Sequence, residues 1–126
     1  ATFAYRTAWD CYSVDPLLRD KAVWQRVQRL KLVRKKIEDC DGIDLPIRGT
    51  QTVVVMVHSH AKLSDTVNCI TRLGGLIAVV VAIPCCVPPD SNAPPSSEYE
   101  DWGILSPHKT VKIWKGEMTC HLTSTR

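Results

Sequence analysis

The chain has 126 residues and a mass of 14.1 kDa, which suits one small domain. Apolar types make up 44% of the residues and charged types 23%, a globular balance that argues against wholesale disorder. The longest apolar run, Leu76 to Ile83, is far shorter than the ~20 residues of a membrane-spanning helix. Residues 1–10 lack the apolar core of a secretory signal. We therefore expect a single domain over residues 1–126, located inside the cell in the cytoplasm or an organelle, without membrane association.

The six cysteines support the same interpretation. Most of them lie inside or beside apolar stretches, and no CxxC pair is present. The adjacent residues Cys85 and Cys86 are poor disulfide partners for one another. We expect reduced, mostly buried thiols, as is typical of an intracellular protein.

The first third of the chain predicts a strand, a helix and a second strand. Trp9 to Val14 forms the first strand. The helix spans Leu17 to Leu30, where Val23, Val27 and Leu30 recur at helical spacing and Asp15 is placed to cap the start. A second strand follows over Leu30 to Ile37 and ends at Glu38-Asp39.

The middle of the chain predicts a strand-helix-strand unit. Thr52 to Val57 and Leu76 to Ile83 are β-branched runs of the kind found in parallel strands buried on both faces. Between them, Leu63 to Leu73 is predicted to be a helix that begins near Ser64 or Asp65 and stops at Gly74-Gly75.

The last third predicts a loop and a hairpin. Residues 87–100 contain Pro88, Pro89, Pro94 and Pro95 and are expected to form a long surface loop. Thr110 to Trp114 alternates like a strand, with Met118 to Leu122 as its hairpin partner. Taken together, the order of elements predicts an α/β fold.

Polar residues follow each of the four predicted parallel strands. Ligands of open α/β sheets bind outside the carboxyl ends of the strands, and an acid there can accept hydrogen bonds from ribose hydroxyls. Asp15 is otherwise explained as a helix cap, and Asp39 as a solvated loop acid. The residues at the four ends are Asp15, Glu38-Asp39, His58-Ser59-His60 and Pro84-Cys85-Cys86.

Two further kinds of chemistry remain open at these ends. His58 and His60, with Cys85 and Cys86, have the residue types of a zinc site, and a histidine beside a cysteine can activate a thiol nucleophile. Their spacing is not diagnostic, so no metal site is predicted and no catalytic residue is assigned.

Two motifs resemble a known family. The segment Val57 to Asp65, VHSHAKLSD, and the segment Ala78 to Cys86, AVVVAIPCC, are similar to S-adenosylmethionine-dependent methyltransferases with a Rossmann-like fold. The resemblance is to the branch with an LHACG-like segment after the fourth strand and a PCC after the fifth. Residues 12–16 and 32–39 are similar to the second and third strands of that family, and the likeness covers residues 9 to 115.

The resemblance implies a fold, a cofactor and a set of binding residues. The fold would be a partial Rossmann-like methyltransferase sheet with a C-terminal antiparallel hairpin, and the cofactor S-adenosylmethionine. By the family pattern, Asp15 would bind the ribose, Asp39 and Cys40 would border the adenine, His58 would flank the methionine portion, and Pro84 and Cys85 would wall the methyl-transfer pocket.

The chain departs from the family in its glycines. The family's glycine-rich cofactor loop follows its first strand, whereas none of the six glycines here precedes Gly42. His60-Ala61 stands where the family has Cys-Gly. The resemblance therefore implies that another protein segment completes the sheet.

The charge is concentrated in one block. Residues 19–36 hold eight basic residues and one acid, so this segment carries +7 while the remainder sums to −4. Such a block supplies phosphate contacts to RNA, although it also fits a solvated helix face. The predicted RNA-binding residues are Arg19, Lys21, Arg26, Arg29, Lys31, Arg34, Lys35 and Lys36.

Two functions therefore fit the sequence. The first is a methyltransferase-like domain that acts on RNA or is bound to it. The alternative is a non-catalytic, degenerate methyltransferase fold that serves as a structural RNA-binding subunit of a large ribonucleoprotein.

Overall fold

The computed structural model describes residues 4, 6–19, 26–85, 88–91 and 93–115. The chain divides into two compact units, Ala1–Leu45 and Pro46–Arg126. The elements are of mixed α/β type, which confirms the predicted class.

The first unit contains a pair of short parallel strands. Strand β1, Cys11–Val14, pairs with β2, Leu30–Val33, and a 3-10 turn follows at Ile37–Asp39. Buried side chains of this unit include Val27, Val33, Cys40 and Leu45.

The strand predicted over Leu30 to Ile37 is too long. It ends at Val33, because Arg34, Lys35 and Lys36 are consecutive exposed cations that offer no apolar face to bury. The chain then turns into the 3-10 segment, so Asp39 lies in that turn and not at the end of a strand.

The helix predicted over Leu17 to Leu30 is wrong at both described ends. Leu17 to Arg19 is irregular, and Asp15 Oδ1 accepts the N–H of Leu17 at 2.8 Å in a local turn. Residues 26–29 form turns, and Arg29 has a left-handed backbone (φ 65°) directly before β2. The middle of the predicted helix, residues 20–25, lies outside the described residues.

The second unit is built on a four-stranded sheet. Strand β3, Gln51–Val57, helix α1, Leu63–Arg72, and strand β4, Leu76–Ile83, form a parallel strand-helix-strand unit. Strands β5, Ser97–Glu100, and β6, Thr110–Lys115, complete the order β3-β4-β6-β5, with β6 antiparallel to both of its neighbours. The predictions for β3, α1, β4 and β6 are confirmed to within one residue.

Helix α1 stops where the glycines predicted. The Gly74 N–H bonds to the Thr71 carbonyl at 3.0 Å and the Gly75 N–H to the Ile70 carbonyl at 2.9 Å, which is a Schellman motif. Gly74 has a left-handed φ of 83°, a conformation that glycine adopts without a Cβ clash.

One face of the sheet is buried, and the opposite face is exposed at β3. Val54, Val80 and Trp114 are buried and stand side by side across β3, β4 and β6. The alternate residues of β3 point the other way, and Val53, Val55 and Val57 are 40%, 42% and 55% exposed. The prediction that β3 is buried on both faces is therefore wrong, since in the described structure a helix packs against β4 but only one face of β3 is buried.

Strand β5 lies inside the segment predicted to be a loop over 87–100. Its sequence, SEYE, carries a single aromatic residue and no apolar alternation, so pairing with β6 rather than its own pattern defines it. The proposed hairpin partner of β6, Met118 to Leu122, lies outside the described residues. In the parts of the chain that are described, no helix is long and apolar enough to span a membrane.

Candidate functional site

The predicted cofactor residues are divided between the two units. Asp15, Asp39 and Cys40 belong to the first unit, whereas His58 and the Pro84-Cys85 pair belong to the second.

Asp15 directly follows β1, at the carboxyl ends of the parallel pair. Its backbone N–H bonds to the Val33 carbonyl at 3.1 Å, so the end of β2 fixes its position. The side chain is exposed, and one carboxylate oxygen accepts the Leu17 N–H. Asp15 thus directly follows a strand, and its carboxylate closes a local turn; it does not cap a helix at Leu17, because residues 17–19 are irregular.

Asp39 and Cys40 differ sharply in exposure. The Asp39 side chain is exposed on the 3-10 turn. The Cys40 thiol is buried, and its Sγ donates a hydrogen bond to the Lys36 carbonyl oxygen at a distance of 3.5 Å. Only Asp39 is accessible to a ligand, because Cys40 is part of the small core of this unit.

His58 turns the chain at the end of β3. It has a left-handed φ of 49°, which is uncommon for a residue with a side chain, and its N–H bonds to the Ile83 carbonyl at 2.9 Å. The ring contacts His108 edge-on, and Nε2 lies 3.2 Å from the His108 carbonyl oxygen. The turn rules out the continued strand that would have placed His58 and His60 on one face.

A small cavity lies at the carboxyl ends of β3 and β4. Pro84, Ser59 and Leu63 are among its lining residues, and Pro88 and Pro89 come from the loop after β4. Its volume of about 20 Å³ has room for roughly one water molecule. A nucleoside does not fit in this cavity, so the described residues of this unit do not by themselves hold the cofactor that the resemblance implies.

A metal site is not formed by the described residues. No group of three or more His, Cys, Asp or Glu side chains in the described ranges is arranged to hold a metal ion. Cys86, one of the four residues of the zinc alternative, lies outside those ranges.

A shallow groove at the amino ends of β1 and β2 was not predicted. Asp10, Tyr12, Arg29 and Lys31 are among its lining residues, and burial, with a smaller contribution from the Asp10 charge, raises the pKa of the Tyr12 phenol. Arg29 also has a left-handed backbone, a conformation that the sequence pattern does not predict. The groove lies at the end of the strands opposite Asp15.

The basic block is exposed but not uniformly accessible to a ligand. Lys31 Nζ donates to the carbonyls of Ile43 and Asp44 at 2.9 and 3.2 Å, and Lys35 Nζ lies 2.8 Å from the Asp44 carboxylate. The hydrogen bond to Asp44 raises the pKa of Lys35, and the same bond lowers the pKa of Asp44. The described members are Arg19, Arg26, Arg29, Lys31, Arg34, Lys35 and Lys36, all of them exposed, while Lys21 lies outside the described residues.

Comparisons with known proteins add no assignment. The chain matches no protein-family model, no curated protein and no solved structure.

Proposed function

We propose that this chain is a methyltransferase-like domain of the S-adenosylmethionine-dependent class, with a partial Rossmann-like sheet, that acts on RNA or is bound to it. The observation that carries the proposal is the pairing of β1 with β2 and of β3 with β4, both parallel. In the doubly wound order 3-2-1-4-5-6, strands 2 and 3 are parallel neighbours, and so are strands 4 and 5. The antiparallel β6 is compatible, since doubly wound sheets often carry such a strand.

The proposal includes a protein segment that completes the sheet. The doubly wound order has a strand 1 without a counterpart among the described strands, since β1 and β2 would correspond to strands 2 and 3 and β3 and β4 to strands 4 and 5. The cavity beside β3 and β4 holds about one water molecule, so cofactor binding requires further structure next to these strands.

Calorimetric titration of the full-length protein, together with its natural partners, tests cofactor binding. We expect Asp15→Ala to raise the dissociation constant for S-adenosylmethionine about tenfold or more, because a ribose acid makes charge-assisted hydrogen bonds. Asp10→Ala is the matched control, since Asp10 is an exposed acid at the opposite end of β1. Absence of heat at millimolar cofactor would contradict the enzymatic function.

RNA binding is tested by its dependence on salt. The logarithm of the association constant is expected to fall linearly with the logarithm of salt concentration, with a slope of about −0.7 for each phosphate contact to single-stranded RNA. The double variant Arg26→Glu/Lys36→Glu should flatten that slope, whereas Arg48→Glu/Lys62→Glu, which changes exposed cations outside the block, should not. Equal slopes for the two double variants would show that the block does not bind RNA.

The small cavity favours a second candidate function, a structural RNA-binding subunit of a large ribonucleoprotein. A degenerate methyltransferase fold needs no cofactor pocket, and the cavity at the carboxyl ends of β3 and β4 has room for about one water molecule. Steeply salt-dependent RNA binding without any cofactor binding selects this function over the first.

A further inference from the structure

The edge of the sheet at β3 is long, uncharged and apolar. Among the described strands, β3 pairs with β4 alone, and its seven residues QTVVVMV include no charge, proline or glycine. The His58 N–H and the Thr50 carbonyl both point to β4, so by alternation the backbone groups of Val53, Val55 and Val57 point to the open side. Such an edge is a template for another strand.

The opposite edge of the same sheet is protected. Strand β5 has only four residues and carries Glu98 and Glu100, with Asp101 directly after it. Short length and charge are the usual means by which proteins prevent edge-to-edge pairing. One edge of this sheet is therefore closed to association and the other is not.

We propose that the free chain covers this edge with a second copy of itself, by antiparallel pairing of β3 with β3 about a two-fold axis at Val54. In that register, Val53 lies opposite Val55 of the second copy, and Thr52 lies opposite Met56. Gln51 lies opposite Val57, so no pair brings like charges together. Residues with outward-pointing backbone groups meet one another, as an antiparallel ladder requires.

The resulting assembly is closed. An axis perpendicular to the sheet keeps the exposed valines of both copies on one face, where they form a continuous apolar strip with Val79 and Val81 of β4. The eight-stranded sheet is of ordinary size, and among the described strands its remaining edges are the two acidic β5 strands. Growth therefore stops at the dimer, as a two-fold interface implies.

The inference rests on the same exposed edge as the completing segment of the proposed function. That segment and a second copy compete for β3. The tests below contain neither cofactor nor RNA, so their failure leaves the proposed function intact, and failure of the cofactor titration leaves the dimer intact.

Sedimentation velocity on the full chain measures the association directly. We expect twice the chain mass of 14.1 kDa for the native protein at high concentration. Val55→Pro removes one outward N–H, which an edge strand tolerates, and should give the monomer mass. Tyr99→Lys, a change on the acidic edge, is the control and should remain dimeric. A native protein that is monomeric from micromolar to millimolar concentration, or a folded Val55→Pro variant that still dimerises, would overturn the proposal.

A pair of double variants tests the register. Val53→Lys/Val55→Lys places like charges opposite one another and should weaken the dimer about tenfold or more. Val53→Lys/Val55→Glu places opposite charges there and should restore the dimer. Equal dimerisation of the two folded double variants contradicts the register.

Hydrogen exchange on the native protein requires no variant. The amides of Val53, Val55 and Val57 should be protected at high concentration and exchange rapidly on dilution. Rapid exchange at every concentration would refute the pairing whether or not the variants fold.

Discussion

The Asp90 carboxylate stabilises the start of α1 from outside the helix. It accepts the Ser64 backbone N–H at 3.1 Å and a short hydrogen bond from the Ser64 hydroxyl, and Lys62 at the cap position makes no side-chain cap bond. Burial alone would raise the pKa of Asp90. The hydrogen bonds to its carboxylate lower that pKa by more, with the bond from the Ser64 hydroxyl contributing most, so the net shift is downward from 3.8. The charged form is therefore the one that the folded chain prefers.

Asp90→Asn should lower the free energy of unfolding by about 1 kcal/mol at neutral pH, because a helix cap loses its charge. The folded pKa lies below the unfolded value of 3.8, so the contribution is present above 3.8 and is lost as pH falls through the folded pKa. Urea unfolding between pH 7 and pH 3 checks both statements. Glu100→Gln, at an exposed acid of the same unit, is the control, and an equal loss in that variant would contradict the assignment.

Position 75 has no room for a side chain, so it requires glycine. A Cβ built there would lie 2.8 Å from both Ile47 Cδ1 and Ile70 Cγ2, closer than carbon atoms pack. Gly75→Ala should therefore reduce stability by about 1–3 kcal/mol, measured by the urea midpoint. Gly42→Ala is the matched control, since a Cβ at Gly42 has no neighbour within 4 Å. A neutral Gly75→Ala variant would contradict the close contact.

At the level of elements, the Trp114 side chain connects β6 to the proline-containing segment over residues 87–100 by a hydrogen bond. Its indole N–H donates to the Ala93 carbonyl at 3.0 Å, and the side chain is buried between the segment and the sheet. Trp114→Phe should cost about 1–3 kcal/mol of stability, because a buried hydrogen bond is lost. The control Trp102→Phe, at an exposed residue that contacts Lys109 at 4.0 Å, should cost no more than about 1 kcal/mol. Similar losses in thermal unfolding for the two variants would refute the role of Trp114.

The elements that the sequence predicted well are those with a strong local pattern. The apolar runs of β3 and β4 and the glycine stop of α1 carry their signals within a few residues. Strand β5 could not be predicted, because a partner strand rather than its own residues makes it a strand. The prediction placed the end of β2 too late, at Ile37. The alternating leucines, Leu30 and Leu32, suggested a longer strand, although the three residues after Val33 are exposed cations.

The sequence predicted which of the proposed site residues follow a strand only in part, and it did not predict the shape around them. Asp15, His58 and Pro84 each directly follow a strand, as expected, whereas Asp39 lies in a 3-10 turn. The sequence does not show that Cys40 is buried or that the cavity beside Pro84 is the size of a water molecule. Both depend on packing between segments distant in the chain.

For the whole molecule, the distribution of charge decides how many cations are available to the RNA that we propose as a ligand. Asp44 binds Lys35 and, through its carbonyl, Lys31, so one acidic loop occupies two lysines of the basic block. The net charge of +3 does not reveal this local compensation.

Asp44→Asn should therefore raise RNA affinity more than Asp10→Asn, although both variants remove one negative charge. We expect a gain of about two- to fivefold at low salt, because Lys35 becomes free to contact a phosphate. Fluorescence anisotropy with single-stranded RNA measures the difference. Equal gains in the two variants would mean that net charge alone governs binding.

Three tryptophans differ strongly in solvent exposure, so the intrinsic fluorescence of the protein can report on its folding. Trp114 is 2% exposed, whereas Trp9 and Trp102 are 52% and 74% exposed. In a Trp24→Phe variant, which retains these three tryptophans, iodide in solution will therefore quench the red-shifted emission of the outer indoles first and leave a blue-shifted remainder from Trp114. Loss of that remainder signals disruption of the second unit without any added dye.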